Sequence, residues 1–406
     1  MASTPCNLTI STIFRHPSHC GTRSPGRILS TRISALNLTI RRNRTISCST
    51  LKTRECNVKE KEVSKAMLVW RAIKLPMYSV ALIPLSVGAS AAYLHTGFFS
   101  VKRFFAILGS SILVIAWLNL SNDVYDFDTG ADKNKKESVV NLLGSRAGTH
   151  LAATLALLLG CGGLLSTSLA AKNTRAILLL ACAILCGYVY QCPPFRLSYC
   201  GLGEPLCFAA FGPFATTAFY FLLGSHFTGT TPPMTTVVLV SSLLVGFTTS
   251  LVLFCSHFHQ IEDDVAAGKM SPLVCTCHFQ SKDAIFFCLK VMIGTGKGAT
   301  TVKYALISLY GFLVACGVAK LLPFSCVLLC GATFPMACLV ANFVKDNHLV
   351  RCFCSFCCNK LFCLSLQNKE SIFMAKYYCV RLHALFGSAL ALGLAITRHI
   401  PSFCFL

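Results

Sequence analysis

Apolar runs alternate with shorter polar segments along the chain from Trp70 onwards. Most of these runs approach the ~20 residues with which an α-helix crosses the hydrocarbon of a bilayer, and a helix satisfies its own backbone hydrogen bonds there. The pattern therefore predicts an all-α, polytopic membrane protein with nine transmembrane helices. The predicted spans are residues 73–94, 104–120, 151–171, 176–190, 206–223, 237–256, 304–322, 324–344 and 382–397.

The composition agrees with a membrane protein. The 406 residues are 54% hydrophobic and 13% charged, with a mean hydropathy of +0.64, which is too apolar for ordinary soluble domains. The net charge of +21 would suit nucleic acid, but the basic residues lie in the N-terminal tail and beside apolar runs. This distribution favours the lipid bilayer and an anionic substrate as partners, with no nucleic acid.

The N-terminal segment differs from the rest of the chain. Residues 1–50 contain seven Arg, eight Ser and eight Thr but no Asp, Glu or Lys, and they lack the apolar core of a secretory signal. This composition is typical of an organelle transit peptide, and its hydroxyl content favours a chloroplast over a mitochondrion. The alternative is a generic basic tail. Residues 51–69 then form a polar leader before a transmembrane domain at 70–398.

An acidic stretch, Asn119 to Asp132, stands at the end of the second apolar run. On a helix, four of its polar residues share one face, and Gly130 lets that helix stop. These four are Asn119, Asn122, Asp123 and Asp126; Asp128 and Asp132 follow. Ionisable groups at membrane depth tend to mark a functional site, and hard oxygen ligands suit Mg²⁺ with substrate phosphates. The alternative is a helix end with a solvated acidic loop.

A second acidic stretch, His257 to Lys269, follows the sixth apolar run and carries Glu262, Asp263 and Asp264. Together the two stretches hold seven of the 15 acidic residues. With nine spans, both lie in even-numbered loops and therefore at one membrane face. The even loops hold 16 Lys and Arg and the odd loops five, so this face is predicted to be cytosol-like, the stroma in a plastid.

Two blocks look foreign to their surroundings, residues 275–292 and 349–367. The first interrupts a plausible continuation of the chain, and the second is rich in Cys and Phe without a clear helical face. We interpret both as atypical insertions, with retained intron sequence as one explanation.

The two acidic stretches, the nine spans and the common face resemble the UbiA-type intramembrane prenyltransferases. Asn122, Asp123 and Asp126 match the family's first motif, but its last Asp falls on Gly130, so Asp128 or Asp132 must supply that carboxylate. In the second motif Gln260 stands where many members carry Asp. The segments DVYDFDTGADKNKKESVVN, CSHFHQIEDDVAAGK and IFMAKYYCVRLHALFG are similar to the naphthoate-prenylating branch, and YQCPPFRLSYCGLGE resembles the family's loop after the fourth span.

This resemblance implies a UbiA-type helix bundle that uses Mg²⁺. The implied reaction transfers a phytyl or polyprenyl group from its diphosphate, phytyl diphosphate, to 1,4-dihydroxy-2-naphthoate, with loss of carbon dioxide and diphosphate, in phylloquinone biosynthesis. Alternatives are a sister enzyme that accepts homogentisate, 4-hydroxybenzoate or chlorophyllide, and, from another class, a membrane transporter, for which we find neither internal repeats nor acids deep within spans.

The resemblance also assigns roles to residues. The metal ligands are expected among Asn122, Asp126, Asp128, Asp132, Glu262 and Asp264, with Asp126 and Asp264 the catalytic pair. Substrate contacts are expected from Asn119, Asp123 and Tyr190, and from a charge clamp of Lys133, Lys135, Arg146, Arg196 and Lys269. Arg71, Lys74, Arg381 and His383, at the starts of the first and last spans, are candidates for holding an acidic aromatic or, alternatively, interfacial anchors.

Overall fold

A computed structural model describes residues 74–130, 138–225, 232–261, 264, 268–275, 284–348 and 371–399, without the side chains of 75, 274–275 and 284–294. These residues belong to one compact unit, Lys61–Leu406. The described part of the chain is helical and contains no strand. The predicted transit peptide at 1–50, the leader at 51–69 and Arg71 lie outside it and stay predictions.

Thirteen α-helices, numbered in chain order, make up most of the described residues. They are α1 (Ser79–Thr96), α2 (Val101–Thr129), α3 (Val139–Leu143), α4 (Arg146–Ala170), α5 (Thr174–Gln191), α6 (Gly203–Ala209), α7 (Thr217–Gly224), α8 (Thr236–Ser256), α9 (Pro272–Cys275), α10 (Ala284–Val318), α11 (Phe324–Gly331), α12 (Phe334–Asn347) and α13 (Ala375–Thr397). A π-helical segment, Ala210–Thr216, joins α6 to α7, and 3₁₀ turns occupy Leu75–Tyr78, Leu197–Cys200 and His257–His259.

The number of membrane-crossing helices agrees with the sequence prediction. Among the described residues, eight helices are long and apolar enough to cross a bilayer, and the pair α11 and α12, bent by 42°, makes a ninth if it counts as one span. The chain is therefore an all-helical, multi-span membrane protein.

The helices extend beyond several of the predicted apolar runs. Helix α2 continues to Thr129 rather than ending near residue 120, and it stops at Gly130, whose φ of +82° is the left-handed conformation that glycine adopts without strain. Residues 284–292, the second half of the first foreign block, form the beginning of α10. Residues 276–283 and the block at 349–367 lie outside the described residues.

Contacts between helix ends show that the spans alternate in direction. The end of α2 meets the start of the first span and the loop after α5 through Lys74–Asp123 and Tyr199–Asp126 contacts. At the opposite end, His95 contacts Thr235 and Asn173 contacts Ser225. The described parts of the loops after the second, fourth and sixth spans therefore lie at one end of the bundle, as the sequence predicted, together with the described residues of both acidic stretches.

Small residues allow the central helices to approach closely. A Cβ added at Gly212 would lie 2.6 Å from the Ser242 carbonyl oxygen, and one at Gly246 would lie 2.7 Å from that of Phe208. Because the hydrophobic effect does not drive helices together within lipid, such backbone contact is a main source of packing energy there. The π-helical segment and α8 are thereby held together beside the cavity described next.

Candidate active site

An apolar cavity of about 330 Å³ is lined by residues of the first to sixth spans and of the start of the last span. Its inner walls are formed by aliphatic and aromatic side chains, including Val80, Ile115, Leu180 and Phe219. Most of its polar lining comes from one end of the bundle, including Lys74, Asn119, Asn122, Asp126, Tyr190, His257, His259, Gln260, Lys269 and Lys376, and Ser111 and Thr249 add hydroxyl groups from within two helices. The cavity thus joins a hydrocarbon-like interior to a charged mouth.

Asp126 is the carboxylate of the first stretch that faces this cavity. Its side chain is buried; Asn122 Nδ2 donates to Oδ2 at 2.7 Å, and the Tyr199 hydroxyl donates to Oδ1 at 3.0 Å. Residues 122 and 126 are one helical turn apart, so an unbroken α2 places the amide and the carboxylate side by side.

Tyr199 comes from the 3₁₀ turn after α5. Burial, reinforced by the negative Asp126, raises the pKa of Tyr199 to about 12. The hydroxyl therefore stays protonated at neutral pH and donates to Asp126. The Tyr199 carbonyl oxygen accepts from the Met270 backbone N–H at 2.9 Å, and the ring lies 5.5 Å from Lys269 Nζ. One residue thus contacts the segments that carry both acidic stretches.

Asp123 points to the start of the first span instead of into the cavity. It is completely buried, with Oδ1 at 2.8 Å from Lys74 Nζ and Oδ2 accepting from the Val139 N–H at 3.0 Å. The structure therefore places Asp123, a predicted substrate contact, in a bridge between three segments. Lys74 lines the cavity from the other side of this ion pair.

Asp128 and Arg146 pair with each other at the edge of the bundle. Two bonds of 2.7 Å join the guanidinium to the carboxylate, both side chains are partly exposed, and neither lines the cavity. Asp128 lies two residues past Asp126, about 200° around the helix axis, which explains why it points away. The structure does not bring this predicted ligand and this predicted clamp residue to the candidate site.

In the second acidic stretch, Asp264 belongs to a buried cluster of charged side chains around His257. His257 lies between two carboxylates, with Nδ1 3.5 Å from Asp264 Oδ2 and Nε2 3.2 Å from Glu204 Oε1. Lys269 Nζ lies 3.6 Å from Asp264 Oδ1. The atoms are close enough to form ion pairs, but neither the Glu204 oxygens nor Asp264 Oδ2 accept a well-aligned hydrogen bond from the described residues.

Two further predicted residues stand near the mouth. Tyr190 lines the cavity near the end of α5. Arg196 has a positive φ of 43°, and its guanidinium lies 5.7 Å and 5.9 Å from the ring centroids of Tyr125 and Tyr199. Arg196 does not line the cavity; its guanidinium lies beside the ring of Tyr199, whose hydroxyl contacts Asp126.

The last span presents a different side chain from those predicted. Arg381 is exposed, with its guanidinium 5.5 Å from the Tyr378 ring centroid, and His383 is fully buried with Nδ1 2.9 Å from Thr248 Oγ1. Neither lines the cavity, whereas Lys376 does. Five predicted site residues lie outside the described residues, and their roles stay predictions: Arg71, Asp132, Lys133, Lys135 and Glu262.

Comparison with known proteins identifies the family. The sequence profile of the UbiA prenyltransferase family matches residues 81–366. This chain belongs to the UbiA prenyltransferase family. A chloroplastic 2-carboxy-1,4-naphthoquinone phytyltransferase of Arabidopsis thaliana is 57% identical over 366 residues, covering 89% of this chain and 87% of that protein. The phytyltransferase of the same name from Synechocystis is 38% identical over 323 residues, 79% of this chain and 91% of that protein.

Solved structures of UbiA-type proteins are also similar. A UbiA homologue from Archaeoglobus fulgidus, described as bound to GPP and Mg²⁺, has a TM-score of 0.44 and 14% identity over 78% of this chain and 100% of that chain. A digeranylgeranylglyceryl phosphate synthase has a TM-score of 0.43 and 13% identity over 82% of this chain and 100% of that chain.

The donor atoms at the mouth of this UbiA-family chain fit a hard divalent cation. Asn122 and Asp126 line the cavity and offer amide and carboxylate oxygens, the ligands that Mg²⁺ prefers. Asp264 does not line the cavity, but it lies beside His257 and Lys269, which do. The buried oxygens of Glu204 and Asp264 Oδ2 have no hydrogen-bond donor among the described residues, and buried polar atoms normally have a partner. Within the same residues no three His, Cys, Asp or Glu converge on one point, so the protein's own ligand set there is incomplete.

Sequence reasoning named neither Glu204 nor Lys376 as a site residue of this UbiA-family chain. Glu204 is the single acidic residue between Glu137 and Glu262, and it begins an apolar run, which is the signal that could have found it. Lys376 lies before the predicted start of the last span at residue 382, whereas the helix already begins at Ala375. An earlier start would have put Phe373, Lys376 and Tyr377 on one face.

Proposed function

We propose that this chain is a magnesium-dependent aromatic prenyltransferase that transfers a phytyl group from phytyl diphosphate to 1,4-dihydroxy-2-naphthoate, a step of phylloquinone biosynthesis. The observation that carries the proposal is the meeting of both acidic stretches at the mouth of one apolar cavity, in a member of a prenyltransferase family. The phytyl group and the carboxylated naphthalene skeleton of the acceptor are taken from the names of the two phytyltransferase relatives, which give the quinone, 2-carboxy-1,4-naphthoquinone. 1,4-Dihydroxy-2-naphthoate is the two-electron-reduced form of that skeleton.

The diphosphate belongs at the polar mouth. Asn122, Asp126 and Asp264 would hold Mg²⁺, with Asp132 and Glu262 as further ligands expected from the sequence. Held by these residues, Mg²⁺ would supply positive charge that offsets the negative charge of the leaving diphosphate. Lys269 and Arg196 add positive charge on the same side, and the Tyr199 hydroxyl keeps the Asp126 carboxylate in place.

The apolar walls suit the phytyl chain. Side chains such as Val80, Ile115, Leu180 and Phe219 offer hydrocarbon and aromatic surfaces to a hydrocarbon ligand. They also keep water away from the allylic carbon once its bond to the diphosphate oxygen weakens. Exclusion of water matters because a water molecule would trap the cation as an alcohol.

The acceptor reacts in its hydroquinone form. A quinone ring is electron-poor, whereas 1,4-dihydroxy-2-naphthoate has two hydroxyl groups that donate electron density to the attacking ring carbon. The bond from the phytyl carbon to the diphosphate oxygen breaks, and the diphosphate leaves with the electron pair. A carbon–carbon bond forms at the ring carbon that bears the carboxylate, which leaves as carbon dioxide. Atoms and charge balance without an oxidant.

The protein is proposed to reside in a chloroplast membrane, envelope or thylakoid, with its catalytic end towards the stroma. The Arg-, Ser- and Thr-rich tail at 1–50, the name of the chloroplastic relative and the excess of Lys and Arg in the even loops support this assignment.

The test is a transfer assay on membranes that contain the full-length protein, with labelled phytyl diphosphate and either 1,4-dihydroxy-2-naphthoate, homogentisate or 4-hydroxybenzoate. We expect a magnesium-dependent, phytylated and decarboxylated naphthalene product, and loss of product on chelation with EDTA. Transfer to one of the other acceptors but not to the naphthoate would contradict the proposed acceptor, and transfer to none would contradict the activity.

A further inference from the structure

The start of the last span adds a group of polar and aromatic side chains to the cavity lining. Phe373, Lys376 and Tyr377, around the start of α13, line the cavity together with His259 from the turn after α8. Lys376 is half-buried, and its Nζ lies 3.9 Å from the Phe373 ring centroid and 5.2 Å from that of Tyr377. The Phe373 ring meets the His259 ring edge to face at 4.9 Å. An ammonium group is thus framed by aromatic rings.

Lys376 has different neighbours from those of Lys74 and Lys269, which also line the cavity. Lys74 and Lys269 contact Asp123 and Asp264, so both belong to the acidic end where the metal and diphosphate are proposed to bind. Lys376 comes from another helix and lies over aromatic rings. A cation beside aromatic rings that line a cavity matches a ligand that combines a carboxylate with a flat aromatic ring. The phytyl chain has neither feature.

We propose that Lys376 binds the carboxylate of the aromatic acceptor while Phe373 and Tyr377 pack against its ring. The proposal rests on the proposed function and deepens it, since it assigns the determinant that selects an acidic aromatic. It also moves the assignment from Arg381 and His383, which the sequence favoured, to the side chain of the same span that lines the cavity.

The test measures binding to the full-length protein in lipid nanodiscs, with two non-reacting probes, radiolabelled 2-naphthoate and its neutral counterpart 2-naphthamide. The variants are Lys376→Met, Lys376→Arg and Arg381→Met. Lys345→Met serves as a matched control, because Lys345 is an exposed lysine at the end of α12 that does not line the cavity. Because binding needs no turnover, this readout is independent of the transfer reaction.

We expect the wild type to prefer 2-naphthoate. Lys376→Met should weaken its binding by about 10- to 100-fold, the loss of one charge-assisted hydrogen bond, and leave 2-naphthamide binding unchanged. Lys376→Arg should keep most of the preference, and Arg381→Met and Lys345→Met should keep all of it. The proposal is overturned if the wild type shows no preference, if Lys376→Met weakens both probes equally, or if Arg381→Met alone removes the preference.

A transfer assay on the same preparations separates the two hypotheses. Failure of the wild type to phytylate 1,4-dihydroxy-2-naphthoate would contradict the proposed function, whereas the binding data decide whether Lys376 recognises an aromatic carboxylate. With an active wild type, the Lys376→Met variant should show a raised KM for the naphthoate and an unchanged KM for phytyl diphosphate.

Discussion

The two acidic stretches are built in different ways. In the first, one continuous helix carries three described carboxylates that point in three directions: Asp123 to Lys74, Asp126 to the cavity and Asp128 to Arg146. In the second, helix α8 has already ended, and Asp264 is held beside His257 in a buried group completed by Glu204 from another span. In the first stretch, the position of each carboxylate around the helix axis determines which neighbour it contacts. In the second stretch, contacts between different segments of the chain bring the charged side chains together.

This difference explains why a motif is not equivalent to a ligand set. Successive residues of α2 are separated by about 100° around the axis, so neighbouring carboxylates of one motif cannot all face one metal. Two of them instead tie α2 to the first span and to α4. Asn122 and Asp126 still face the cavity, but they are too few to form a metal site without ligands from the second stretch. Tyr199 contacts the segments that carry both stretches.

The largest effect that we expect is the loss of one carboxylate from either stretch. Asp126→Ala and Asp264→Ala should each lower kcat by about 10²- to 10³-fold, as for other groups that stabilise transition-state charge. Asp346→Ala, at an exposed carboxylate at the end of α12, is the control and should be close to wild type. The assay is phytyl transfer by equal amounts of membrane-inserted protein. Near-normal activity of either variant would show that the stretches do not share one site.

A smaller loss is expected from Glu204→Gln, which keeps the shape of the side chain but removes its charge. The Glu204 carboxylate lies 3.2 Å from His257 Nε2, and removing one member of a buried charged pair is costly, so kcat is expected to fall by about tenfold or more when His257 is held less firmly. Transfer rates and thermal unfolding would be measured together. Unchanged activity would mean that Asp264 and Lys269 organise the second stretch without the fifth span.

The sequence predicted the first stretch better than the second for a physical reason. Local spacing determines how Asn122 and Asp126 meet on α2, and Gly130 marks where that helix ends. The neighbours of His257, by contrast, depend on how α6, α8 and the following loop pack, which no local pattern specifies. The same reason explains Lys376: its role follows from where the last helix begins and which face it turns to α8.

The connection between the stretches can be tested with Tyr199→Phe. Phenylalanine keeps the ring beside Lys269 but removes the hydroxyl that donates to the Asp126 carboxylate. A hydrogen bond to a charged group contributes about 1.5–3 kcal/mol, and because Asn122 still donates to Asp126, only part of this is expected to reach the rate. We expect kcat to fall by roughly two- to tenfold. The matched control, Tyr188→Phe on the partly exposed side of α5, should have no effect on the rate. Equal rates for the two variants would show that the Tyr199 hydroxyl does not connect the two stretches in a way that matters for catalysis.

The smallest effect should come from Asp128→Asn, which removes the partly exposed ion pair with Arg146. Exposed ion pairs contribute little, so we expect transfer to stay within about twofold of the wild type. Kinetics of the variant in the same membranes provide the measurement. A loss comparable with that of Asp126→Ala would instead restore Asp128 to the metal ligands that the sequence suggested.

The central claim, that both stretches hold one diphosphate, is tested most directly by an experimental structure of the protein with Mn²⁺ and phytyl thiodiphosphate, a donor analogue that does not react. The anomalous signal of Mn²⁺ locates the metal. We expect metal and diphosphate between Asp126 and Asp264, with the phytyl chain along Ile115 and Leu180 and with Asp128 still paired with Arg146. A metal or diphosphate bound at Asp128, or at one stretch without contact to the other, would contradict this account.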